Sequence, residues 1–365
     1  MAKIMHVIPS LSRGGAERFV VDLCNELAKT NEVYLVSLFD NNKDSFKDEV
    51  SENVQVISIG KKSGFDMKTL LRTLRLINNV KPDIVNSHIN ALEYILFYRL
   101  FKVKSKTIKF FHTIHNEANK DVANFLAFFL RKKLFSSKLV IPITISKTMS
   151  KSFEEFYDLF GYDIQIDNGR PYRQFDKTKR DAIKAKYKGN GQQLFVNVAR
   201  IDAQKNQLNL VKAFKSKCLR MKGAVLLVLG DVRDKDLYNE ILTETQGECN
   251  IHLVGGVSNV EDYLAACDAF ILPSIFEGMP ISLIEALSHG CVPICTPVGG
   301  VADMIEDKIN GFLISGTSAE DISNAILSYI DSENINLIRY NARESFHSRY
   351  DIETTSLNYL DAYAT

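Results

Sequence analysis

Two glutamates, Glu277 and Glu285, have types and a spacing that could do chemistry. They follow the apolar run Ala269–Leu272, and Pro280 between them suits the first turn of a helix, where a missing N–H costs no hydrogen bond. Glu277 is therefore predicted just before a helix, and Glu285 more than a turn inside it among apolar neighbours. Burying an unpaired carboxylate is costly, so each glutamate needs a polar partner or a function. The plainer alternatives are a capping residue for Glu277 and a partner of an internal cation for Glu285.

Two cationic side chains follow another predicted strand. Arg200 and Lys205 come after Leu194–Val198, so they leave the carboxyl end of that strand together. A fixed guanidinium and a mobile ammonium suit the two phosphates of a diphosphate. The alternative is a pair of solvated charges on a loop.

A glycine-bearing loop follows the first predicted strand. Gly14 and Gly15 open a predicted helix, and glycines there let backbone N–H groups approach a phosphate. The loop lacks the Gly-x-Gly-x-x-Gly spacing of dinucleotide-binding proteins, which disfavours a dehydrogenase. A tight turn without a ligand is the alternative.

The elements that position these residues alternate strand and helix, which predicts an α/β fold with parallel sheets wound on both faces. In the first half, strands are predicted over Lys3–Ile8, Val33–Phe39, Val54–Ile59, Ile84–Ser87, Lys106–Phe111 and Leu139–Thr144. Helices are predicted over Ala16–Lys29, Lys68–Asn79, Leu92–Phe101, Val122–Phe135 and Lys147–Phe156.

The pattern breaks at the turn-forming sequence 167–171, which a charged segment over 177–188 follows. A second alternation then predicts strands over Leu194–Val198, Ala224–Leu229, Ile251–Val254, Ala269–Leu272, Pro293–Thr296 and Gly311–Ile314. Helices are predicted over Leu208–Phe214, Pro280–His289, Ala319–Ile330, Asn334–Phe346 and Glu353–Tyr363. The sequence thus predicts two doubly wound domains, 1–170 and 171–345, with a cleft between them as the ligand site. A helix within 346–365 is expected to pack back on the first domain.

The composition is that of a soluble globular protein, with 45% hydrophobic and 24% charged residues. The six cysteines are scattered, which predicts reduced thiols in the cytoplasm. Cys291 and Cys295 flank Val-Pro-Ile without a second ligand pair, so no metal site is predicted there. The first apolar stretch, Ile4–Ile8, is too short for a signal peptide, and no run approaches the roughly 20 apolar residues of a membrane span.

The net charge of +1 conceals an asymmetry. Residues 60–151 carry 18 lysines and arginines against 5 aspartates and glutamates, and the remaining residues have a net charge of −12. Basic runs at 102–106 and 131–133 adjoin apolar stretches at 97–101 and 125–130, a combination that suits docking on an anionic membrane. The alternative is that 125–130 is a buried helix face with a solvated basic edge. Nucleic acid is not an expected partner, because the stretch has no recognisable reader motif.

The segment 276–293 resembles the donor-binding half of the retaining glycosyltransferases of family four, which have the GT-B fold. The seven residues between Glu277 and Glu285 match that family's paired-glutamate motif. Further matches are Gly14–Arg18, Arg200 with Lys205, Val298–Gly300 and Asn310–Leu313, so the resemblance runs from residue 4 to about 345. It specifies a mechanism class and says little about the sugar.

The resemblance implies a nucleotide-sugar donor, with a UDP- or GDP-sugar expected. Arg200 and Lys205 would hold the diphosphate and stabilise the charge on the leaving group, and Gly14 and Gly15 would let the first loop close over it. The remaining implied donor contacts are Glu277 to the transferred sugar, Gly278, Met279 and Pro280 beside it, Glu285 to the ribose, Gly256 and Val257 at the base, and His115 near the donor sugar.

The chain departs from the family pattern in two places. Arg170 stands where a small apolar residue usually follows Asn-Gly, and Gly230-Asp231-Val232 keeps one glycine of a common Gly-Asp-Gly. Asp234-Lys235-Asp236 looks like a metal motif of another glycosyltransferase fold, but its acids suit a helix N terminus. No metal or cofactor is expected, because Arg and Lys supply the positive charge in enzymes that this chain resembles.

The predicted activity is transfer of a hexosyl group, with retention, to a hydroxyl of a glycan or lipid-linked acceptor. The expected setting is bacterial surface-polysaccharide synthesis, such as capsule or lipopolysaccharide, in the cytoplasm at the inner face of the membrane. One alternative is a nucleotide-sugar epimerase of the same fold, which lacks this paired-glutamate spacing. Another is a non-catalytic sugar-nucleotide-binding partner protein, which the intact charged residues disfavour.

Overall fold

The computed structural model describes residues 1–40, 45–64, 66–101, 108–122 and 125–365. The contacts divide the chain into a first unit, Met1–Pro171 with Asp351–Thr365, and a second unit, Tyr172–Tyr350. The boundaries predicted from the sequence lie after residues 170 and 345.

The first unit is built on a parallel sheet in the order β3-β2-β1-β4-β5-β6-β7. Its strands are β1 (Lys3–Ile8), β2 (Glu32–Ser37), β3 (Val54–Ser58), β4 (Ile84–His88), β5 (Lys109–Ile114), β6 (Ile141–Thr144) and β7 (Ile164–Gln165). The predicted end of β5 at Phe111 was wrong. The strand continues through His112 and Thr113, whose polar side chains are fully buried and hydrogen-bonded to β4. The two-residue β7 was not predicted.

The helices of this part are α1 (Gly15–Leu27), α2 (Met67–Val80), α3 (Leu92–Phe101), α4 (Ala118–Asp121), α5 (Phe125–Ser136) and α6 (Lys147–Tyr157). The single helix predicted over Val122–Phe135 is thus preceded by the separate short α4. Side-chain caps fix two of the starts: Asp66 accepts from the backbone at the start of α2, and Ser146 from the backbone of Met149 in α6.

The second unit is built on a parallel sheet in the order β10-β9-β8-β11-β12-β13. Its strands are β8 (Gln193–Val198), β9 (Ala224–Leu229), β10 (Ile251–Gly255), β11 (Ala269–Leu272), β12 (Val292–Cys295) and β13 (Phe312–Leu313). All six predicted strands are present within one or two residues of their predicted ends. In both sheets, the parallel strands bring their carboxyl ends to one edge, where ligands of open α/β sheets bind.

The helices of the second unit are α7 (Lys177–Tyr187), α8 (Gln207–Phe214), α9 (Lys217–Met221), α10 (Lys235–Glu244), α11 (Val260–Ala266), α12 (Ile281–His289), α13 (Val301–Met304), α14 (Ala319–Ile330) and α15 (Ile335–Ser345). The charged segment that follows the boundary turn forms α7, which the sequence analysis missed. Asp176 caps it and Ile183 is its buried residue. Asp234 caps α10 by accepting from the backbone of Asp236 and Leu237, which confirms its interpretation as a helix start.

The last helix, α16 (Ile352–Ala364), belongs to the first unit and packs against α1. Its buried tyrosines cover polar side chains of the first sheet: Asn86 donates a 2.8 Å hydrogen bond to the hydroxyl of Tyr363, and the hydroxyls of Thr113 and Tyr359 are 3.3 Å apart. In the described part of the chain, no helix has the length and hydropathy needed to cross a membrane.

Candidate functional site

Two loops at the carboxyl edge of the second sheet are joined to each other. They follow the neighbouring strands β8 and β11. The backbone N–H of Ile275 donates to the carbonyl of Gln204 at 2.8 Å, and the side-chain amide of Gln204 donates to the carbonyl of Phe276 at 2.7 Å. Asn206 adds a 3.2 Å hydrogen bond to the carbonyl of Pro273. The loop of Arg200 and Lys205 and the loop of Glu277 therefore form one structure.

Lys205 and Glu277 form an ion pair within this structure. The Lys205 Nζ lies 2.6 Å from Glu277 Oε1, and the same oxygen accepts a 2.6 Å hydrogen bond from the hydroxyl of Ser274. Glu277 is only 5% exposed. The predicted need for a polar partner is thus met at Glu277 by a cation, and the capping alternative is wrong, because Pro280 occupies the cap position of α12.

Arg200 is exposed on the loop after β8, and its carbonyl accepts a 2.8 Å hydrogen bond from Gln207. The adjacent β9 loop approaches its backbone closely. A Cβ built on Gly230, whose φ is +147°, would lie 1.9 Å from the carbonyl oxygen of Ala199. The one glycine that this chain keeps from the Gly-Asp-Gly pattern is therefore the one that the packing behind Arg200 requires.

The loop after β12 supports the Glu277 segment from another side. The N–H of Gly300 donates a 2.6 Å hydrogen bond to the carbonyl of Gly278. Gly299 has a φ of +52°, and a Cβ there would lie 1.7 Å from the carbonyl oxygen of Glu277. Gly299 and Gly300, which match the family pattern, thus let the loop after β12 pack closely against the backbone of Glu277 and Gly278.

We expect the Gly299→Ala variant to displace the Glu277 segment. A displacement of about 1 Å at a reacting centre can lower turnover about 10²-fold, which steady-state kinetics would measure. Gly247→Ala is a matched control, because Gly247 also has a left-handed φ, +78°, but has nothing within 4 Å of its built Cβ. Equal activities of the two variants would contradict the supporting role of Gly299.

The start of α12 presents backbone groups beside Glu277. The helix begins at Ile281, one residue later than predicted, and Pro280 supplies no side-chain cap to it. Uncapped N–H groups at a helix start are suited to an anion. Gly278 is partly buried and Met279 is buried just before it. Glu285 is half-buried one turn into the helix.

The predicted base-binding loop follows β10 beside the β9 loop. Gly256 is exposed, and a Cβ on it would lie 2.0 Å from Oδ1 of Asp231. Val257 next to it is half-buried. The loops of β8, β9 and β10 thus adjoin one another at the edge where the sequence analysis placed the nucleotide.

In the first unit, Gly14 and Gly15 lie at the start of α1. Gly14 is the cap residue, in an extended conformation, and it provides no side-chain cap to the helix. Its carbonyl accepts the first helical hydrogen bond, at 3.0 Å from the N–H of Arg18. This is the glycine-to-helix arrangement that the sequence analysis linked to a phosphate.

His115 follows β5 and is half-buried. Its Nε2 lies 3.0 Å from Nδ1 of His88, whose Nε2 lies 2.9 Å from Nδ1 of His6. Neither partner was predicted from the sequence. His6 lies inside the apolar strand β1, which was the available signal, whereas His88 ends β4 after the polar residues Asn86 and Ser87. His112 is separate from this chain of rings, because its Nδ1 lies 2.9 Å from the hydroxyl of Ser87.

Cys291 and Cys295 are buried free thiols, and burial raises the pKa of each. Within the described ranges, no group of three or more His, Cys, Asp or Glu side chains could hold a metal ion.

Two family models match the chain. The model for glycosyl transferases group 1 matches residues 179–345, and the model for glycosyltransferase family 4 matches residues 13–160. The UDP-Gal:alpha-D-GlcNAc-diphosphoundecaprenol alpha-1,3-galactosyltransferase of Escherichia coli is 26% identical, over 79% of this chain and 76% of that protein. The N-acetylgalactosamine-N,N'-diacetylbacillosaminyl-diphospho-undecaprenol 4-alpha-N-acetylgalactosaminyltransferase of Campylobacter jejuni is 25% identical, over 99% of this chain and all of that protein.

Solved structures share the fold. The crystal structure of Anabaena HepE in complex with UDP and glucose superposes with a TM-score of 0.84 over the full length of both chains, at 16% identity. WaaG, a glycosyltransferase involved in lipopolysaccharide biosynthesis, superposes with a TM-score of 0.75 over 99% of both chains, also at 16% identity.

Proposed function

We propose that this chain, which belongs to the group 1, family 4 glycosyltransferases and has their GT-B fold, transfers a hexosyl group from a nucleotide sugar with retention at the anomeric carbon. The observation that carries the proposal is the Lys205–Glu277 ion pair on the joined loops of β8 and β11, with Arg200 exposed on the first of them.

The cations act on the leaving group. Arg200 and Lys205 bind the donor diphosphate, and they stabilise the negative charge that develops as the bond from the anomeric carbon to the phosphate oxygen breaks. The nucleoside diphosphate leaves with the electron pair. The acceptor oxygen bonds the anomeric carbon on the face that the phosphate leaves, and its proton passes to the departing phosphate oxygen.

Glu277 serves as a sugar-binding residue in this scheme. Its Oε1 already accepts from Lys205 and Ser274, each at 2.6 Å, and a carboxylate neutralised in this way is a weak nucleophile. It therefore orients the transferred sugar rather than forming a covalent intermediate. Glu285 binds the ribose, and Gly256 with Val257 contact the base.

The names of the relatives support a finer assignment of both substrates. The Escherichia coli relative uses UDP-Gal, and both relatives act on undecaprenyl diphosphate-linked glycans by name. We therefore assign to this chain a UDP-sugar donor and a lipid-linked glycan acceptor.

The test compares turnover with and without an acceptor. The protein is incubated with UDP- and GDP-sugars, alone and with a synthetic undecaprenyl diphosphate-linked sugar. The expected result is a longer lipid-linked product and nucleotide release only when the acceptor is present. Epimerised donor without acceptor would favour the epimerase, and donor binding without any conversion would favour the non-catalytic partner.

An apolar face of α5 gives this enzyme a membrane-docking surface. Phe125, Leu126, Phe129 and Leu130 are 75%, 69%, 51% and 39% exposed, so the alternative of a buried face is wrong. The exposed Lys133 at the end of the same helix adds the charge that complements an anionic lipid surface.

Part of the predicted basic surface does not contribute to this docking face. Arg131 is 1% exposed and pairs with Glu93 at 2.6 Å, so it points into the first unit. The other basic run, 102–106, lies outside the described residues.

We expect the Phe125→Ser/Phe129→Ser variant to bind vesicles containing anionic lipid about tenfold or more weakly than the parent, because apolar area buried in the interface is lost. Co-sedimentation measures the effect. Leu337→Ser/Tyr340→Ser on α15 is the matched control, since both side chains are about as exposed, at 59% and 60%. Vesicle binding that does not depend on the anionic lipid content, and that is equal for the parent and Phe125→Ser/Phe129→Ser, would refute the docking surface.

A further inference from the structure

Three histidines cross the first sheet in a line. His6 lies on β1, His88 ends β4 and His115 follows β5, and these three strands are neighbours. The registers pair His6 with Asn86 and His88 with Thr113, so each histidine lies two residues beyond its neighbour's partner. Because side chains alternate with a period of two, all three rings lie on one face of the sheet.

The rings form a continuous hydrogen-bonded chain. Nδ1 of His6 lies 2.9 Å from Nε2 of His88, and Nδ1 of His88 lies 3.0 Å from Nε2 of His115. His6 and His88 are fully buried, and burial lowers the pKa of His6 to about 3 and that of His88 well below its ordinary value. Both rings are therefore neutral and carry one N–H each.

The buried ring of His6 decides where the protons of the three histidines lie. The outer nitrogen of His6, Nε2, is buried and has no hydrogen-bond partner among the described atoms. A buried N–H without an acceptor is among the rarest defects of folded proteins. The single proton of His6 is therefore on Nδ1, from which it donates to His88.

The arrangement then propagates to His115. Because Nε2 of His88 accepts, the proton of His88 is on Nδ1 and points to His115. Nε2 of His115 must accept it, which leaves the proton of His115 on Nδ1. If Nε2 of His115 carried a proton, in either the opposite neutral form or the cation, it would donate to Nδ1 of His88. Nε2 of His88 would then donate to Nδ1 of His6, and His6 would carry a buried, unpaired N–H on Nε2.

We propose that His88, backed by His6, is a positioning residue that holds His115 in its Nδ1–H form, so that His115 is a hydrogen-bond donor to a hydroxyl of the transferred sugar. The contact between His115 and the sugar is the one that the family resemblance implies, and it rests on the proposed function. The new element is the proton arrangement, which rests on the geometry of the three rings. A free imidazole exchanges between its Nδ1–H and Nε2–H forms. The hydrogen bond from His88 disfavours the Nε2–H form of His115, which would have no proton on Nδ1 to donate to the sugar.

The test is the tautomer of His115 in the protein without substrate, read from long-range proton–nitrogen correlation spectra of histidine-labelled protein. The expected result is protonated Nδ1 and unprotonated Nε2 for both His115 and His88. In His88→Leu, the Nε2–H form of His115 should appear, and kcat/KM for the donor should fall about tenfold, as for one lost hydrogen bond. His112→Asn is the control, and it should leave the His115 signals unchanged.

Two results would overturn the proposal: a His115 protonated at Nε2 in the unmodified protein, or the same His115 tautomer with and without His88. The first decides the matter even if His88→Leu fails to fold. A protein with the expected tautomer but no sugar transfer would retain the proton arrangement and reject the proposed function.

Discussion

Replacing Lys205 by methionine should lower turnover about 10²- to 10³-fold and also destabilise the second unit. The first effect is that of removing one preorganised positive group from a developing oxyanion. The second follows because Glu277, 5% exposed, would lose its cationic partner, and breaking a buried pair costs about 3–5 kcal/mol. Steady-state kinetics and denaturant unfolding measure the two effects.

A double variant separates these two effects. Lys205→Met/Glu277→Gln also removes the buried carboxylate that the single variant leaves without a cation. It should therefore recover most of the lost stability and none of the lost turnover. Lys222→Met is the control for a lysine in an exposed pair, because Lys222 and Asp331 are half-exposed, and it should change neither property. Turnover near that of the parent in Lys205→Met and in Arg200→Ala would refute the proposed donor site.

Replacing Arg170 by methionine should destabilise the first unit by about 3 kcal/mol, or lower its Tm by roughly 6–12 °C. Arg170 is 2% exposed, and its guanidinium pairs with the buried Asp22 of α1. The variant would keep the weaker contact between Asp22 and Arg18, whose Nε is 3.6 Å away. Calorimetry of the parent and the variant measures the shift.

The matched variant for this prediction is Arg170→Met/Asp22→Asn, which removes both charges. It should recover much of the lost Tm, because a buried pair costs most when one partner is left behind. Equal Tm values for the parent and Arg170→Met would show that the pair contributes nothing.

The same contacts explain a departure from the family pattern. The carbonyl of Arg170 accepts a 3.0 Å hydrogen bond from Ile352 at the start of α16, and a Cβ on Gly169 would lie 2.4 Å from the hydroxyl of Thr355. The segment is thus packed between α16 and α1, and an arginine that reaches Asp22 takes the place of a small apolar residue. Neither helix is near residue 170 in sequence, so the sequence could not indicate this.

Elements whose local pattern decides their structure could be predicted closely. The strand β9 and the helix α14 have the predicted bounds, because a continuous apolar run and a regular helical period need no distant partner. The strand β5 was misplaced because His112 and Thr113 are polar side chains that β4 satisfies. The helix α7 was missed because six of its eleven residues are charged and Ile183 is its one buried residue, which leaves no clear apolar period.

The identities of the site residues could be predicted from the sequence, but the contacts between them could not. The type and spacing of Glu277 indicated a functional carboxylate, but its partner Lys205 is 72 residues away, and only the neighbouring strands bring them together. The histidine chain is the extreme case, since it joins three strands and was represented in the sequence by His115 alone. Tertiary pairing of this kind has no local signal.

The most direct test of the account is the configuration of the product. With an α-linked UDP-sugar as donor and a synthetic lipid-linked acceptor, the anomeric proton coupling of the new glycosidic bond is measured by NMR. Retention, as proposed for front-face departure and attack with Arg200 and Lys205 on the leaving group, predicts an α-linked product. A β-linked product would contradict it.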